Sequence, residues 1–204
     1  DHILSGNVEY GRANVSVGPG AFDRSSPDPG WSGNDVGAEI KFNGLGLTSI
    51  GTVPAVQDVD GTLVIADEVL TITGADGRFD PGGGETVAVP QVEFSIPNFR
   101  QQKGKIGRLG ISGEGAARAL GVILDSKPFQ ALEKQGITPD DLSGDGTLVL
   151  MADFPLEKRR NLADVDWNLT GDLKDFSIAK PVKGRRIENA DLTFSVDGKS
   201  FAVK

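Results

Sequence analysis

The stretch that decides the fold spans residues 112–144 and reads SGEGAARALGVILDSKPFQALEKQGITPDDLSG. Apolar residues in its first half, such as Leu120 and Leu124, recur at helical spacing and predict an amphipathic helix. A second short helix would follow, and Gly136 is placed to end it because glycine readily adopts the left-handed conformation found after helix C-termini. We therefore predict a helical hairpin near 114–136, which either plugs one end of a β core or covers a ligand path.

Elsewhere the chain alternates apolar and polar residues, as strands with one buried face do. The stretches VEFSI at 92–96 and LTFSV at 192–196 are clear examples. Turn sequences such as Asp76-Gly77 and Asp197-Gly198 lie close to the strands. This short spacing favours antiparallel meanders, because parallel pairs need long crossovers. The pattern predicts a mainly β fold.

We expect a single β-rich domain over residues 1–204. A β meander would occupy 1–111, the helical insert 112–144 and a second meander 145–204. A chain of this length can bury a sizeable core. Because the first residue is Asp1, we expect the chain to be a fragment of a longer protein.

Composition narrows the function classes. The net charge is −8 and the isoelectric point is about 4.7, so no basic surface is expected to bind nucleic acid or adhere to anionic lipid. The chain has no cysteine, which excludes disulfides and thiolate metal sites and is compatible with any compartment, including a periplasm. No run approaches the ~20 apolar residues of a membrane span. Any membrane contact is expected to involve regions outside this chain.

Motifs that would carry catalysis are weak. The one histidine, His2, lies beside the terminus, which nearly excludes a His-dependent triad or a multi-His metal site. The S-x-x-K match at 177–180 lies in strand-like alternation, and no partner motif follows. The acidic pairs at 58/60 and 164/166 would each lie on one face of a strand. Solvated strand faces or turns explain these pairs better than a catalytic role does. The interpretation is a non-enzymatic protein without a cofactor or metal.

A weak internal repeat is also visible. VQDVDGTLVI at 56–65 aligns without gaps with IENADLTFSV at 187–196, and the match continues at 70–72 and 201–203. One reading is coincident β alternation. The other is a true repeat, in which sheet units are added along one direction.

The residues around the helical stretch form an ordered set of short motifs. In chain order they are GAARAL at 115–120, LDSKPF at 124–129, KQGITP at 134–139, LSG at 142–144, DFPL at 153–156, LADV at 162–165, GDLKDFSI at 171–178 and IENADL at 187–192. This order resembles the central region of AsmA-like proteins, particularly the YhdP-type branch of Gram-negative bacteria. The Gly-rich turn at 82–84 and Lys127 depart from the family pattern, and neither change affects the expected fold.

The resemblance implies a periplasmic segment of a protein that is anchored in the inner membrane. Its antiparallel sheet would be long and curled, taco- or groove-like, with the helical hairpin as an insert. The groove would move phospholipid between the two membranes or otherwise maintain the outer membrane. The implied partners are phospholipid, or another acyl-chain ligand, and the rest of the parent chain, and no catalysis is implied.

Alternation selects the side chains that would line such a groove. The candidates are Val92, Phe94, Ile96, Leu148, Leu150, Val165, Trp167, Leu169, Leu192, Phe194 and Val196. A closed core would use the same alternation, so a β-sandwich binding or adhesin-like module without a lipid groove is the alternative. A carbohydrate-active enzyme that uses the acidic pairs with Trp31 or Trp167 is less favoured.

Overall fold

A computed structural model gives the fold of most of the chain. It describes residues 3–16, 36–48, 52–101, 103–127, 129–133, 136–156, 165–182, 184–197 and 201–203. Their eleven strands form one antiparallel sheet, against which one α-helix lies. The mainly β, antiparallel fold predicted from the sequence is confirmed.

The strands follow one another across the sheet in chain order. They are β1 (Ile3–Val15), β2 (Val36–Leu47), β3 (Val56–Ala66), β4 (Val69–Ala75), β5 (Gly77–Gly82), β6 (Glu85–Ile96), β7 (Ile106–Ala116), β8 (Leu142–Pro155), β9 (Asp166–Val182), β10 (Arg185–Asp197) and β11 (Phe201–Val203). The helix α1 spans Ala117–Asp125, and a 3-10 turn spans Pro139–Asp141. β4 and β5 share the place between β3 and β6, because Asp76, at φ 60°, bends what is otherwise one strand.

The helical insert is shorter than the predicted range 112–144. β7 continues to Ala116 and β8 begins at Leu142, so both ends of that range lie within strands. Gly113 predicts the end of a strand, but it lies within β7. Val87 of β6 packs directly against it, because glycine has no side chain. A Cβ atom at Gly113 would lie 3.2 Å from Cγ1 of Val87.

The hairpin predicted near 114–136 contains one α-helix in the described residues, not two. After α1, residues 129–132 form irregular turns, and Glu133 has a 3-10 conformation. The carboxylate of Asp125 accepts hydrogen bonds from the backbone N–H groups of Leu132, at 3.2 Å, and Glu133, at 2.9 Å. These bonds fold the segment back against the end of α1, which prevents a continuous second helix.

One face of the sheet carries the core. A cluster of buried side chains extends from Phe42 on β2 to Phe194 on β10, and its most deeply buried members are Val87, Val89 and Leu120. Leu120 belongs to α1, so the helix packs directly on this face. The extensive strand–strand contacts all join neighbours in the sheet. The strands thus form one curled layer, with its apolar core on the face where α1 packs.

Residues with positive φ lie inside several strands and mark β-bulges. Gly44 has φ 59°, Asp58 58°, Asp175 49° and Asn189 50°. The register shifts at these positions, between β2 and β3 and between β9 and β10. A bulge bends its strand and increases the local twist, so these residues contribute to the curl.

The two bulged hairpins are structurally equivalent. Asp191 follows Asp60 by 191 − 60 = 131 positions. All seven register pairs of β2 with β3 recur 131 residues later between β9 and β10, and the three pairs of β10 with β11 repeat pairs of β3 with β4. Asp60 accepts a hydrogen bond from the N–H of Gly44 at 2.8 Å, and Asp191 accepts one from Asp175 at 3.1 Å. The sequence repeat is therefore a structural repeat.

Candidate functional site: the apolar inner face

The candidate site is the inner face of the sheet, which we define as the face against which α1 packs. Direct cross-strand partners form a row on this face from β1 to β10. In sheet order the row is Val8, Phe42, Gly61, Gly74, Val92, Ile111, Leu150, Leu169 and Val196. A row on the opposite, outer face is Arg12, Glu39, Val64, Thr71, Ser95, Arg108, Asp153 and Asp166. The curled sheet thus separates an apolar inside from a mostly polar outside.

The structure places all eleven predicted lining residues at buried or half-buried positions. Leu148, Leu169 and Phe194 are buried, and the other eight are half-buried. Val92, Leu150, Leu169 and Val196 belong to the inner row given above. Elsewhere, Phe94 is opposite Leu109, Ile96 opposite Leu70, Trp167 opposite Ala152, Leu148 and Phe194 opposite Gly171, and Leu192 opposite Leu173, while Val165 immediately precedes β9.

Sequence reasoning missed the most deeply buried part of this face. Val87 and Val89 of β6 are fully buried and Leu120 of α1 is 1% exposed, yet none of them is among the lining candidates. The alternation of Val87-Ala88-Val89 predicts a strand with one apolar face. Their complete burial depends on α1 crossing the sheet at this point, which no local pattern reveals.

Glycines on the inner face let large side chains lie flat on the backbone. A Cβ atom at Gly171 would lie 2.5 Å from the ring of Phe194 and 2.8 Å from Cδ2 of Leu148. A Cβ atom at Gly61 would lie 2.8 Å from Cζ of Phe42. Each glycine leaves room for an aromatic ring on the concave side, and such positions permit strong curvature.

We expect Gly171→Ala to lower the free energy of unfolding by about 1–3 kcal/mol, because the added methyl group overpacks the contact with Phe194. Urea unfolding measures the change. Gly11→Ala is the matched control, since Gly11 is also a strand residue but a Cβ atom there would meet nothing within 4 Å. The control should unfold at the same or a slightly higher urea concentration than the wild type. Equal destabilisation by both variants would contradict the role of the ring contact.

One part of the inner face is covered by α1 and by the segment after it, which we call the strap, the described residues of 126–133. The N–H of Thr52, just before β3, donates to the carbonyl of Lys127 at 3.2 Å. The N–H of Lys127 donates to Oγ1 of Thr52 at 2.8 Å. The ring of Phe129 meets that of Trp167 on β9 edge to face, with 5.6 Å between centroids. The strap therefore connects the β3 side of the curl with the β9 side.

A group of ion pairs holds the first turn of α1. Arg118 contacts Glu85 at 3.0 Å and Asp140 at 2.8 Å. The hydrogen bond to Glu85, followed by that to Asp140, raises the pKa of the Arg118 guanidinium. Glu85 begins β6 and Asp140 lies in the 3-10 turn, so one side chain ties the helix to two other elements. Because Arg118 and Glu85 are only half-buried and the Asp140 side chain is exposed, we assign these ion pairs a positioning role.

Asp141, beside this group, has a lowered pKa. The carboxylate accepts hydrogen bonds from Lys180 at 2.9 Å and from the backbone and hydroxyl of Thr138 at 2.9 and 2.7 Å. The bond from Lys180, then those from Thr138, lower the pKa of Asp141 from 3.8 to about 2. A carboxylate whose pKa is lower in the folded state stabilises the fold above its unfolded pKa, and this contribution is lost as the pH falls through the folded value.

Asp141→Asn is therefore expected to lower stability at neutral pH, with a difference from the wild type that shrinks between pH 3.8 and about 2. Urea midpoints of both proteins, measured at several pH values in that range and at pH 6, give the difference directly. Lys180→Gln should reduce the same pH dependence only in part, since the bonds from Thr138 remain. A difference that stays constant with pH would contradict the assigned ionisation.

Two of the four acidic residues that are candidates for catalysis, Asp58 and Asp60, have structural partners. Asp58 has φ 58° at a bulge and pairs with Arg78. Asp60 accepts the hydrogen bond from Gly44 that closes the adjoining bulge. Asp166 is exposed on the outer face. His2, Trp31 and Asp164 lie outside the described residues.

Within the described residues, no three His, Asp or Glu side chains lie close enough together to hold a metal ion. None of the described helices has the length and apolarity needed to cross a bilayer.

No protein-family model, curated protein or solved structure matches the chain. The AsmA-like resemblance therefore stays a prediction that rests on the motifs around α1.

Proposed function

We propose that this chain is a non-enzymatic segment of a periplasmic AsmA-like protein, whose parent is anchored in the inner membrane. Its curled sheet contributes an apolar groove for phospholipid transport or outer-membrane maintenance. The observation that carries the proposal is the continuous inner row, in which nine strands present only apolar residues and glycine. The outer face is mostly polar, as a carrier in water requires.

The energetics of a lipid in water favour such a surface. Each methylene that leaves water gains ~0.8 kcal/mol, so a two-chain lipid exposes on the order of 20 kcal/mol of unfavourable surface. A carrier must therefore offer an apolar path without polar interruptions. The inner row meets this requirement along the hydrogen-bonding direction of the sheet.

The rival readings have less support. A β-sandwich would cover its apolar face with a second sheet, whereas α1 and the strap lie on this face in the described part of the chain. A carbohydrate-active enzyme would use its acidic pair for catalysis, whereas Asp58 and Asp60 are engaged in bulges.

Lipid retention by inner-face and outer-face variants tests the proposal. The chain is mixed with phosphatidylethanolamine and phosphatidylglycerol vesicles and re-isolated by gel filtration, and mass spectrometry quantifies the retained lipid. The wild type should retain phospholipid. Val196→Asp should retain at least about ten-fold less, because an acyl chain on the inner face would have to desolvate the new carboxylate.

Val149→Asp is the matched control, since Val149 is a strand valine that is 42% exposed on the outer face. This variant should retain lipid within about two-fold of the wild type. Circular dichroism confirms that both variants are folded. Wild-type retention no higher than that of a non-binding soluble protein would overturn the groove, and so would equal losses in the two folded variants.

A further inference from the structure

The first strand of the sheet is exposed along its whole length, although its inner side is apolar. Val8 is 69% exposed, Ile3 66% and Val15 56%. They lie opposite inward residues of β2, so they continue the inner face. In the described part of the chain only one edge of β1 is paired, the edge toward β2. The backbone groups of the other edge can accept a further strand.

The structural repeat indicates what belongs on that edge. All ten residues of β2 that pair with β1 have counterparts 131 residues later in β9, and each counterpart pairs with β8. Ala13 is opposite Ala38, for example, and Leu150 is opposite Leu169. β1 is therefore the equivalent of β8. β8 is an interior strand, and β7 occupies its second edge over eleven register pairs.

We propose that the edge of β1 away from β2, which is unpaired in the described part of the chain, is a strand-docking surface that takes an antiparallel extended segment with the side-chain pattern of β7. The register follows from the repeat. Ile111 of β7 is opposite Leu150, the counterpart of Ala13, so the docked strand places an apolar residue opposite Ala13. Gly11 is the counterpart of Leu148, and its open surroundings leave room for a large apolar neighbour.

The occupant is a polypeptide strand rather than a lipid. An edge offers a row of alternating N–H and C=O groups, which another strand satisfies by β-augmentation and which acyl chains cannot satisfy. The docked strand would also cover the exposed inner side chains of β1. The proposal rests on the exposed edge of β1 and on the repeat, and it stands whether or not the inner face binds phospholipid.

A peptide of residues 106–116, IGRLGISGEGA, is the direct probe, because it is the strand that occupies the equivalent edge. Its binding to the whole chain is measured by fluorescence anisotropy, and hydrogen exchange of β1 amides locates it. We expect protection of β1 amides and at least about ten-fold weaker binding of a peptide with the same composition but no alternation.

Substitutions on β1 test the site. The double variant Val8→Lys, Val15→Lys places inward charges on the edge strand, which opposes strand addition, and should weaken binding at least about ten-fold. Tyr10→Lys is the control on the outer side of the same strand, and its affinity should stay within about two-fold of the wild type. Circular dichroism checks the fold of each variant.

Two results would overturn the proposal. One is peptide binding that leaves β1 amides unprotected or that the double variant does not weaken. The other is concentration-dependent dimerisation of the chain through β1, seen by light scattering and lost in the double variant. That result would make a second copy the occupant.

Discussion

Leu120→Ala is expected to lower the free energy of unfolding by about 2–5 kcal/mol, the range measured when a fully buried leucine is truncated. Leu120 is 1% exposed and is the main apolar anchor of α1 on the inner face. Its Cδ atoms lie above two strand glycines, 4.0 Å from a Cβ atom built at Gly113 and 3.5 Å from one built at Gly146. Neither glycine has a side chain that could fill the cavity.

Val122→Ala is the matched control, because Val122 is on the same helix and only half-buried. Alanine also has the higher helix propensity, so the expected loss is below about 1 kcal/mol. Urea unfolding followed by circular dichroism gives both values. If Leu120→Ala costs no more than Val122→Ala, the helix does not depend on this anchor.

The sheet was predictable because one signal, the alternation of apolar and polar residues, repeats along most of the chain. Stretches such as Val92–Ile96 and Leu192–Val196 alternate strictly, and their apolar residues are buried or half-buried in the structure. Short turns between such stretches leave few topologies other than a meander. Local pattern and overall fold agree here, so fold class and strand faces follow from sequence.

The parts that were not predictable depend on contacts distant in sequence. Gly113 and its neighbours predict the end of a strand. In the structure they belong to β7, and Val87 of β6 packs against Gly113. Among the described residues the hairpin has no second α-helix, because the Asp125 carboxylate accepts hydrogen bonds from the backbone N–H groups of Leu132 and Glu133. No local pattern encodes either contact.

The internal repeat shows a different limit of prediction from sequence. Only two residues are identical between its two halves in the aligned hairpin, Asp60/Asp191 and Thr62/Thr193. Asp60 and Asp191 are identical because each holds the bulge of the preceding strand through one hydrogen bond. The strand register is preserved while nearly all other side chains change. The sequence alignment alone therefore left two explanations open, and the strand pairing shows that the two hairpins are structurally equivalent.

The proposed lipid groove also depends on the role of the helical insert, which the sequence did not decide. In the structure α1 and the strap lie on the inner face, as a plug or a cover would. An acyl chain that occupies the same part of the face must displace the strap or pass beside it. The two hydrogen bonds between Thr52 and Lys127 are where the strap is attached to the β3 side.

An engineered disulfide at this attachment separates these two routes. Direct backbone contact brings Thr52 and Lys127 within the distance that a disulfide spans, and the chain has no other cysteine to mispair. Oxidised Thr52→Cys, Lys127→Cys should be about 2–4 kcal/mol more stable than its reduced form, because the bond closes a long loop. If phospholipid enters beneath the strap, the oxidised form should take up at least about ten-fold less lipid, with uptake restored by reductant.

The control pair is Thr71→Cys, Ser95→Cys, which are direct partners of β4 and β6 on the outer face. A disulfide there also restrains the sheet, but it does not touch the strap, so lipid uptake should not change on oxidation. Unchanged uptake by the oxidised Thr52–Lys127 pair, with the bond verified by mass spectrometry, would contradict strap opening. The lipid path would then run along the uncovered part of the inner face, toward Ile96 and Leu70, where the sheet carries apolar residues at half-buried positions.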